Sequence, residues 1–226
     1  MNIRDALGIS ARRQRQATRA MQALLLMFLG IGIERGSTGV VVNGGVALVV
    51  TFLPAALERR YDVPMDAGLT LWITSAVFLH ALGVVGIPQV TGNLYADGSP
   101  IPFYDHVTHA LSASVVAAVG YTVTRAIDEH SEAVYLPPRF MFAFILLFVA
   151  AFGVFWEVIE FAIGGAAAAL GSGTVLTQYG LEDTIYDLIF DLIGAVIVAV
   201  WGTAHLTDVV SAVTERLDHR RDARSE

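Results

Sequence analysis

Long apolar stretches recur along the chain and are separated by short polar segments. Their hydropathy predicts spans near 19–34, 37–57, 68–90, 105–127, 139–170 and 183–206. Four or more of the stretches reach the roughly 20 residues that a helix needs to cross a hydrocarbon core. We therefore predict an all-α, polytopic transmembrane helix bundle with about six spans. It forms one domain over 19–206, between an N-terminal segment at 1–18 and a charged tail at 207–226.

Glycine and proline positions predict where these helices bend or end. The fifth stretch is too long for one straight helix, and the pair Gly164 and Gly165 favours a tilt, a bend or a break there. Pro54 predicts a kink in the second span. Pro137 and Pro138 predict the end of a loop before the fifth span.

The composition agrees with a membrane protein and excludes several chemistries. Hydrophobic residues make up 55% of the chain and charged residues 15%, whereas soluble domains are nearer a quarter charged. The absence of cysteine excludes disulfides, thiolate nucleophiles and Cys-ligated metals. All 14 basic residues are arginine and the net charge is −7, which favours a high-salt-adapted, archaeal or halophilic source.

The arginines predict the orientation of the chain, because positive charge accumulates on cytoplasmic loops. Thirteen of the 14 fall at one end of alternating spans, in the N-terminal segment, at 59–60, around 125–139 and in the tail. Only Arg35 falls at the other end. Both termini are therefore predicted to be cytoplasmic, in a multi-pass protein of the plasma membrane. Loops 91–104 and 171–182 are predicted to face outward.

Acidic and histidine side chains gather in the outward-facing halves of four predicted helices. Asp105 and His109 are four residues apart and share a helix face. Glu157 and Glu160 lie on one face of the fifth helix, about 27 Å from Arg139. The set is completed by His80 in the third helix and by the stripe Asp183, Asp187 and Asp191 in the sixth.

Six buried carboxylates would cost on the order of 15 kcal/mol in a bilayer if nothing compensated them. No arginine lies on the same half-helices, so the compensating charge is a proton, a histidinium or a bound cation. Imidazole with carboxylate suits Zn, Fe, Mn or Ni, and carboxylate alone suits Mg or Ca. We predict a divalent metal ion with ligands from His80, Asp105, His109, Glu157, Glu160, Asp183 and Asp187. Helix N-caps at Asp105 and Asp183, and hydrogen bonds between helices, are the structural alternatives.

Four short segments give the chain a resemblance to a known family. They are Leu79-His80 with Gly83, Tyr104-Asp105 with His109, Trp156-Glu157 with Glu160, and Asp183-Thr184 with Asp187. In this order and spacing they resemble the YjdF-like family of bacterial and archaeal inner-membrane proteins, over roughly residues 45–200. His106 stands where that family often has arginine. The family is a domain of unknown function, so the resemblance implies architecture and candidate residues but no reaction.

Three functions fit this pattern. The first is a metal-dependent hydrolase of a lipid or lipid-linked substrate, with Glu157, Glu160 and Asp187 as catalytic candidates. The second is a proton- or cation-coupled transporter or channel, and the third a non-catalytic membrane scaffold. The sequence lacks GxSxG, HExxH, P-loop and dinucleotide-binding motifs. The bilayer is the expected partner, and a nucleic acid is not.

Overall fold

The computed structural model describes residues 10–87, 91–96, 99–171, 173, 175–176, 178–202 and 205–225. Arg4 and the side chains of Arg220 and Arg224, which contribute to the predicted orientation, lie outside these described residues. All regular structure in the described part of the chain is helical. The helices are α1 (Ala11–Glu34), α2 (Thr38–Val50), α3 (Leu53–Tyr61), α4 (Ala67–Val85), α5 (Tyr104–His130), α6 (Pro138–Leu170), α7 (Leu181–Ile197), a π-helical turn (Val198–Gly202) and α8 (Thr207–Ser225).

Six helical segments are long and apolar enough to cross a membrane, which confirms the all-α fold and the six spans. They are Ala11–Glu34, Thr38–Tyr61, Ala67–Val85, Tyr104–His130, Pro138–Leu170 and Leu181–Gly202. The first helix begins earlier than predicted, at Ala11, because the Ser10 side chain caps it by accepting from the Arg13 amide. The third ends earlier than predicted because Gly86 adopts a φ of 70°, which a helix cannot continue.

Two of the three predicted interruptions are found. The second span is broken at Thr51 and Phe52, and Pro54 lies in the first turn of α3, where its missing N–H leaves no bond unmade. Pro138 likewise begins α6. Of the tilt, bend or break predicted at Gly164 and Gly165, the break does not occur, because α6 runs through both glycines as one helix of 33 residues. Alanines follow the pair and favour helix, and the helix ends at Gly171 in the left-handed conformation.

The helices form two packed groups. One buried cluster joins α1, α2 and α4 around Leu25 and Phe28, and the other joins α5, α6 and α7 around Ile145 and Val149. Contacts between α4 and α5 connect the two groups. Described residues from the loops after α1, α4 and α6 line one cavity, among them Ser37, Tyr95 and Val175. We call this end of the bundle the site end.

A close contact between α5 and α7 positions the site. A Cβ atom on Gly194 would lie 2.2 Å from the Ala110 carbonyl oxygen, so the two backbones touch there. Since only glycine permits this approach, the acidic stripe of α7 lies directly against the His109 face of α5.

Candidate functional site

His109 lies at the centre of a cluster of three carboxylates from two helices. Its Nε2 atom lies 3.5 Å from Asp105 Oδ1, one helical turn earlier on α5, and 3.7 Å from Asp187 Oδ1 on α7. Its Nδ1 atom lies 3.2 Å from Asp191 Oδ1, one turn further along α7. The i, i+4 spacing on both helices and the contact at Gly194 thus bring four side chains to one point.

The contact with Asp191 places a hydrogen on His109 Nδ1 when that carboxylate is ionised. A carboxylate only accepts, so Nδ1 carries the hydrogen and donates it to Asp191. In the neutral ring Nε2 then carries no hydrogen, and its lone pair faces Asp105 and Asp187. An imidazole that donates to a carboxylate through one nitrogen and offers the other is the usual arrangement of a metal-binding histidine.

Asp187 is buried without a compensating hydrogen bond. The residue is 2% exposed, and its Oδ1 atom has no hydrogen-bond partner among the described residues. One ligand atom each from Asp105, His109 and Asp187 lies within 4.8 Å of the others. Two ligands of a tetrahedral Zn site at 2.0–2.2 Å are about 3.4 Å apart. The Nε2 to Oδ1 distances of 3.5 and 3.7 Å come close to that value. The donor set and its spacing therefore fit a divalent metal.

The two glutamates of α6 have different surroundings, although both are buried. Glu157 Oε2 accepts a hydrogen bond of 2.8 Å from the Thr184 hydroxyl, which itself accepts from Gln178 at 2.8 Å. Glu157 is thereby tied to α7 and to the loop before it. Glu160 instead lines the cavity at the site end, together with Asp105, His109 and Asp187.

His80 belongs to a separate hydrogen-bond network. The Asn43 amide nitrogen donates to the carbonyls of Gly39 and Val175, both at 2.8 Å, so its oxygen is left to accept. His80 Nε2 therefore donates to Asn43 Oδ1 at 3.0 Å, and Nδ1 accepts from the Tyr95 hydroxyl at 3.1 Å. Both ring nitrogens of His80 are engaged, so we do not place it among the metal ligands.

A tyrosine from the loop between α4 and α5 completes this network. Burial raises the pKa of the Tyr95 hydroxyl well above its ordinary value, so it remains a donor. Its ring packs edge-on against Tyr104 and lies over Gly83, where a Cβ atom would come within 2.4 Å of it. Gly83, which the sequence resemblance includes, thus makes room for Tyr95 beside His80.

The cluster opens into a polar cavity of about 200 Å³, which we call the site cavity. It is lined by His80 and Tyr95 of this network, by the loop residues Val175, Leu176 and Tyr179, and by four carboxylates. Those carboxylates are Asp105, Glu160, Asp183 and Asp187. The cavity is therefore acidic, shielded by the loops and large enough for water or a small polar group.

Of the seven predicted metal ligands, six line this cavity. The seventh, Glu157, is absent from the lining and accepts from Thr184. Neither Asp105 nor Asp183 is an N-cap, since Phe103 and Gly180 occupy those positions. Asp183 Oδ2 accepts from the Tyr179 amide at 3.0 Å instead. Sequence reasoning placed Asp191 in the stripe but not among the ligands. It missed Asn43 and the hydrogen-bonding role of Tyr95, and it included Thr184 only as part of the resemblance. Asn43 in an apolar span was the one local signal that could have indicated a partner.

A family model described as "Predicted membrane protein (DUF2238)" matches residues 17–208. The chain belongs to the DUF2238 family. This DUF2238 protein is also similar to an uncharacterised protein of Thermotoga maritima, at 26% identity over 182 residues that cover 80% of this chain and 86% of the relative. No solved structure matches the chain. The comparisons confirm the sequence-based expectation of a membrane family without an assigned reaction.

Replacing Asp191 with asparagine is expected to weaken metal binding by about 10- to 100-fold. The amide can rotate and donate to Nδ1, which moves the ring proton to Nε2 and blocks the ligand position. Metal titration of the purified DUF2238 protein measures the effect. The control is Asp218→Asn, which alters the similar pair of His130 and Asp218 at the opposite end of the bundle. Equal affinity of the Asp191 variant and the parent would show that this bond does not orient a ligand.

Proposed function

We propose that this DUF2238 protein is a metal-dependent hydrolase that acts on a lipid or lipid-linked substrate at the extracytoplasmic face. One observation carries the proposal: the buried Asp187 Oδ1, which lacks a hydrogen-bond partner among the described residues, faces the lone pair of His109 Nε2. A cation between two buried acceptors compensates both of them, and the set Asp105, His109 and Asp187 offers a divalent metal its ligand atoms. The arginine distribution, with the site at the end that carries only Arg35, supports the extracytoplasmic side.

The residues around the proposed metal divide into three roles. Asp105, His109 and Asp187 are the proposed ligands, and Asp191 orients the histidine. A divalent metal held there lowers the pKa of bound water and so supplies a nucleophile near neutral pH. Of the two roles that the sequence analysis gave Asp187, ligand and catalytic group, the proposal keeps the ligand.

Glu160 is the proposed general base. It lines the site cavity with the proposed ligands Asp105 and Asp187. Among the described residues, no hydrogen bond ties it to another helix as one ties Glu157. A buried carboxylate beside the reacting water can take its proton and return it to the leaving group. Asp183, tethered to the Tyr179 amide, helps to close the cavity wall.

Replacing Glu160 with glutamine is expected to lower kcat by about 10²- to 10⁴-fold while the metal stays bound, because only the proton acceptor is removed. The assay follows fatty acid release from monoolein and phosphate release from lysophosphatidic acid, in detergent micelles with metal added. Glu182→Gln, at an exposed position in the first turn of α7, is the matched control. Hydrolysis by the Glu160 variant at the parent rate would remove Glu160 from the mechanism. Absence of hydrolysis of either substrate by the metal-loaded parent would contradict the proposed activity.

Transport is the second candidate, and the geometry gives it less support. A transport path needs polar side chains through both halves of the bundle. In the described part of the chain, the cavity that continues from the site toward the middle of the bundle is lined mainly by apolar side chains, such as Val77, Val116 and Val149. Proteoliposome flux that follows a pH or Na⁺ gradient and stops in Asp187→Asn would favour transport instead.

A further inference from the structure

A second cavity lies deeper in the bundle, between α2 and α6. We call it the lateral cleft. It has a volume of about 220 Å³ and is mostly apolar, with Ala47, Val77, Ala113 and Val149 in its lining. Its lining residues Ser112 and Val116 lie about 12 and 18 Å along α5 from the first residue, at 1.5 Å per residue. The cleft is therefore at the depth of the hydrocarbon core of a bilayer.

The cleft opens toward lipid where the two helix groups meet. In the described part of the chain, α2 packs mainly against α1 and α4, and α6 against α5 and α7. The residues that line the cleft on these two helices include Val46 and Phe152, which are 59% and 43% exposed. An opening with apolar edges at this depth is accessible to a hydrocarbon chain from the bilayer, whereas a water-soluble molecule would have to cross lipid to reach it.

The cleft and the site cavity share two histidines in their linings. His80 and His109 line both of them, so a molecule with its chain in the cleft has its polar end at the proposed metal ligands. Asp191 also faces the cleft. An apolar space next to a polar one matches the shape of an amphipathic lipid.

Charge determines which headgroup fits. Four carboxylates line the site cavity, and no arginine lines either cavity in the described part of the chain. One divalent metal does not reverse this negative excess. A phosphate head would be repelled by the surrounding carboxylates, whereas an uncharged head would not. This argument is independent of the metal's identity.

We infer that the lateral cleft binds the hydrocarbon chain of a lipid whose uncharged, ester- or amide-linked head reaches the site cavity. This inference rests on the proposed hydrolase and names its substrate class. For an ester, the water oxygen bonds to the acyl carbon and the acyl C–O bond breaks. Glu160 takes the proton from the water and passes it to the leaving alcohol, so the products are a fatty acid and an alcohol.

Two probes with the same chain test this inference. Monoolein and oleoyl lysophosphatidic acid differ by a single phosphate group, and binding of each to the full-length protein in detergent is measured by native mass spectrometry. The parent is expected to bind one monoolein, and to bind lysophosphatidic acid at least about tenfold more weakly because of the added negative charge. Val46→Trp fills the mouth of the cleft and is expected to lose monoolein binding. Val49→Trp, on the same helix and 72% exposed, does not line the cleft and is expected to keep it.

Each of the alternative results would contradict one part of this inference. Equal or tighter binding of lysophosphatidic acid would overturn the uncharged head, and monoolein retained by Val46→Trp would overturn the cleft as its site. A parent that binds neither lipid would overturn the inference as a whole. Bound metal, measured on the same samples, separates these failures from failure of the proposed function, since neither valine is a proposed metal ligand. Val46→Trp is expected to keep the metal content of the parent, which also shows that it is folded.

Discussion

Replacing His109 with alanine is expected to weaken divalent metal binding by about a thousandfold. The free energy of metal binding at zinc sites is about 10–16 kcal/mol. Divided among three or four ligands, the contribution of one ligand corresponds to a change of about three orders of magnitude in the dissociation constant. His109 is the one nitrogen ligand of the proposed site and lies between Asp105 and Asp187, so its loss also removes the group that holds the two carboxylates together. Elemental analysis by mass spectrometry and a competition titration with a chelator measure the change.

The control for this variant is His130→Ala, which removes a histidine of the same helix that pairs with Asp218 far from the site. Circular dichroism establishes that both variants remain helical. A folded His109→Ala protein that retains the metal of the parent would contradict the assignment of His109 as a ligand. Loss of metal in both variants would indicate a general effect on the fold.

Replacing Gly194 with alanine is expected to lower the free energy of unfolding by about 3 kcal/mol, at the upper end of the range for overpacking. The added Cβ atom would lie 2.2 Å from the Ala110 carbonyl oxygen and 3.1 Å from the Ser114 amide nitrogen, so α5 and α7 must separate. Because these helices carry His109 and Asp187, metal affinity falls with stability. Unfolding in sodium dodecyl sulfate, followed by circular dichroism, measures the first effect, and metal titration measures the second.

Gly165→Ala provides the comparison, because nothing lies within 4 Å of a Cβ atom at that position and the residue is also in a helix. Alanine there is expected to be neutral or to stabilise α6 by up to about 1 kcal/mol through helix propensity. If Gly194→Ala unfolds at the same detergent concentration as Gly165→Ala, the contact between α5 and α7 is not a determinant of the fold.

The spans and their proline interruptions could be predicted because both depend on the local sequence. Hydropathy alone predicts the six spans, and Pro54 and Pro138 mark real interruptions. The pair Gly164 and Gly165 misled because a glycine within a helix weakens it without ending it, and the alanines that follow compensate. The positive φ that ends α4 at Gly86 depends on the adjoining loop and could not be read from hydropathy.

The site was predictable one helix at a time. The spacing of Asp105 with His109, and of Asp187 with Asp191, places each pair on one face, but periodicity does not reveal which faces meet. The meeting depends on Gly194 against Ala110, a backbone contact that leaves no pattern in the sequence.

Long-range hydrogen bonds also lay beyond sequence reasoning. His80 resembled a ligand in the sequence, yet its environment is set by Asn43, 37 residues away, and by Tyr95 from a loop. The role of Glu157 is likewise set by Thr184, 27 residues further along the chain. Such partners come together only when the helices pack, so residue type and spacing cannot distinguish a ligand from a network member.

X-ray absorption spectroscopy at the edge of the metal found in the purified protein tests the central claim most directly. Protein prepared without chelators is predicted to hold about one divalent metal per chain. Its coordination shell would contain nitrogen and oxygen at about 2.0–2.2 Å, with the scattering signature of a single imidazole. A protein free of metal, or a shell with two or more imidazoles, would contradict a site built from Asp105, His109 and Asp187.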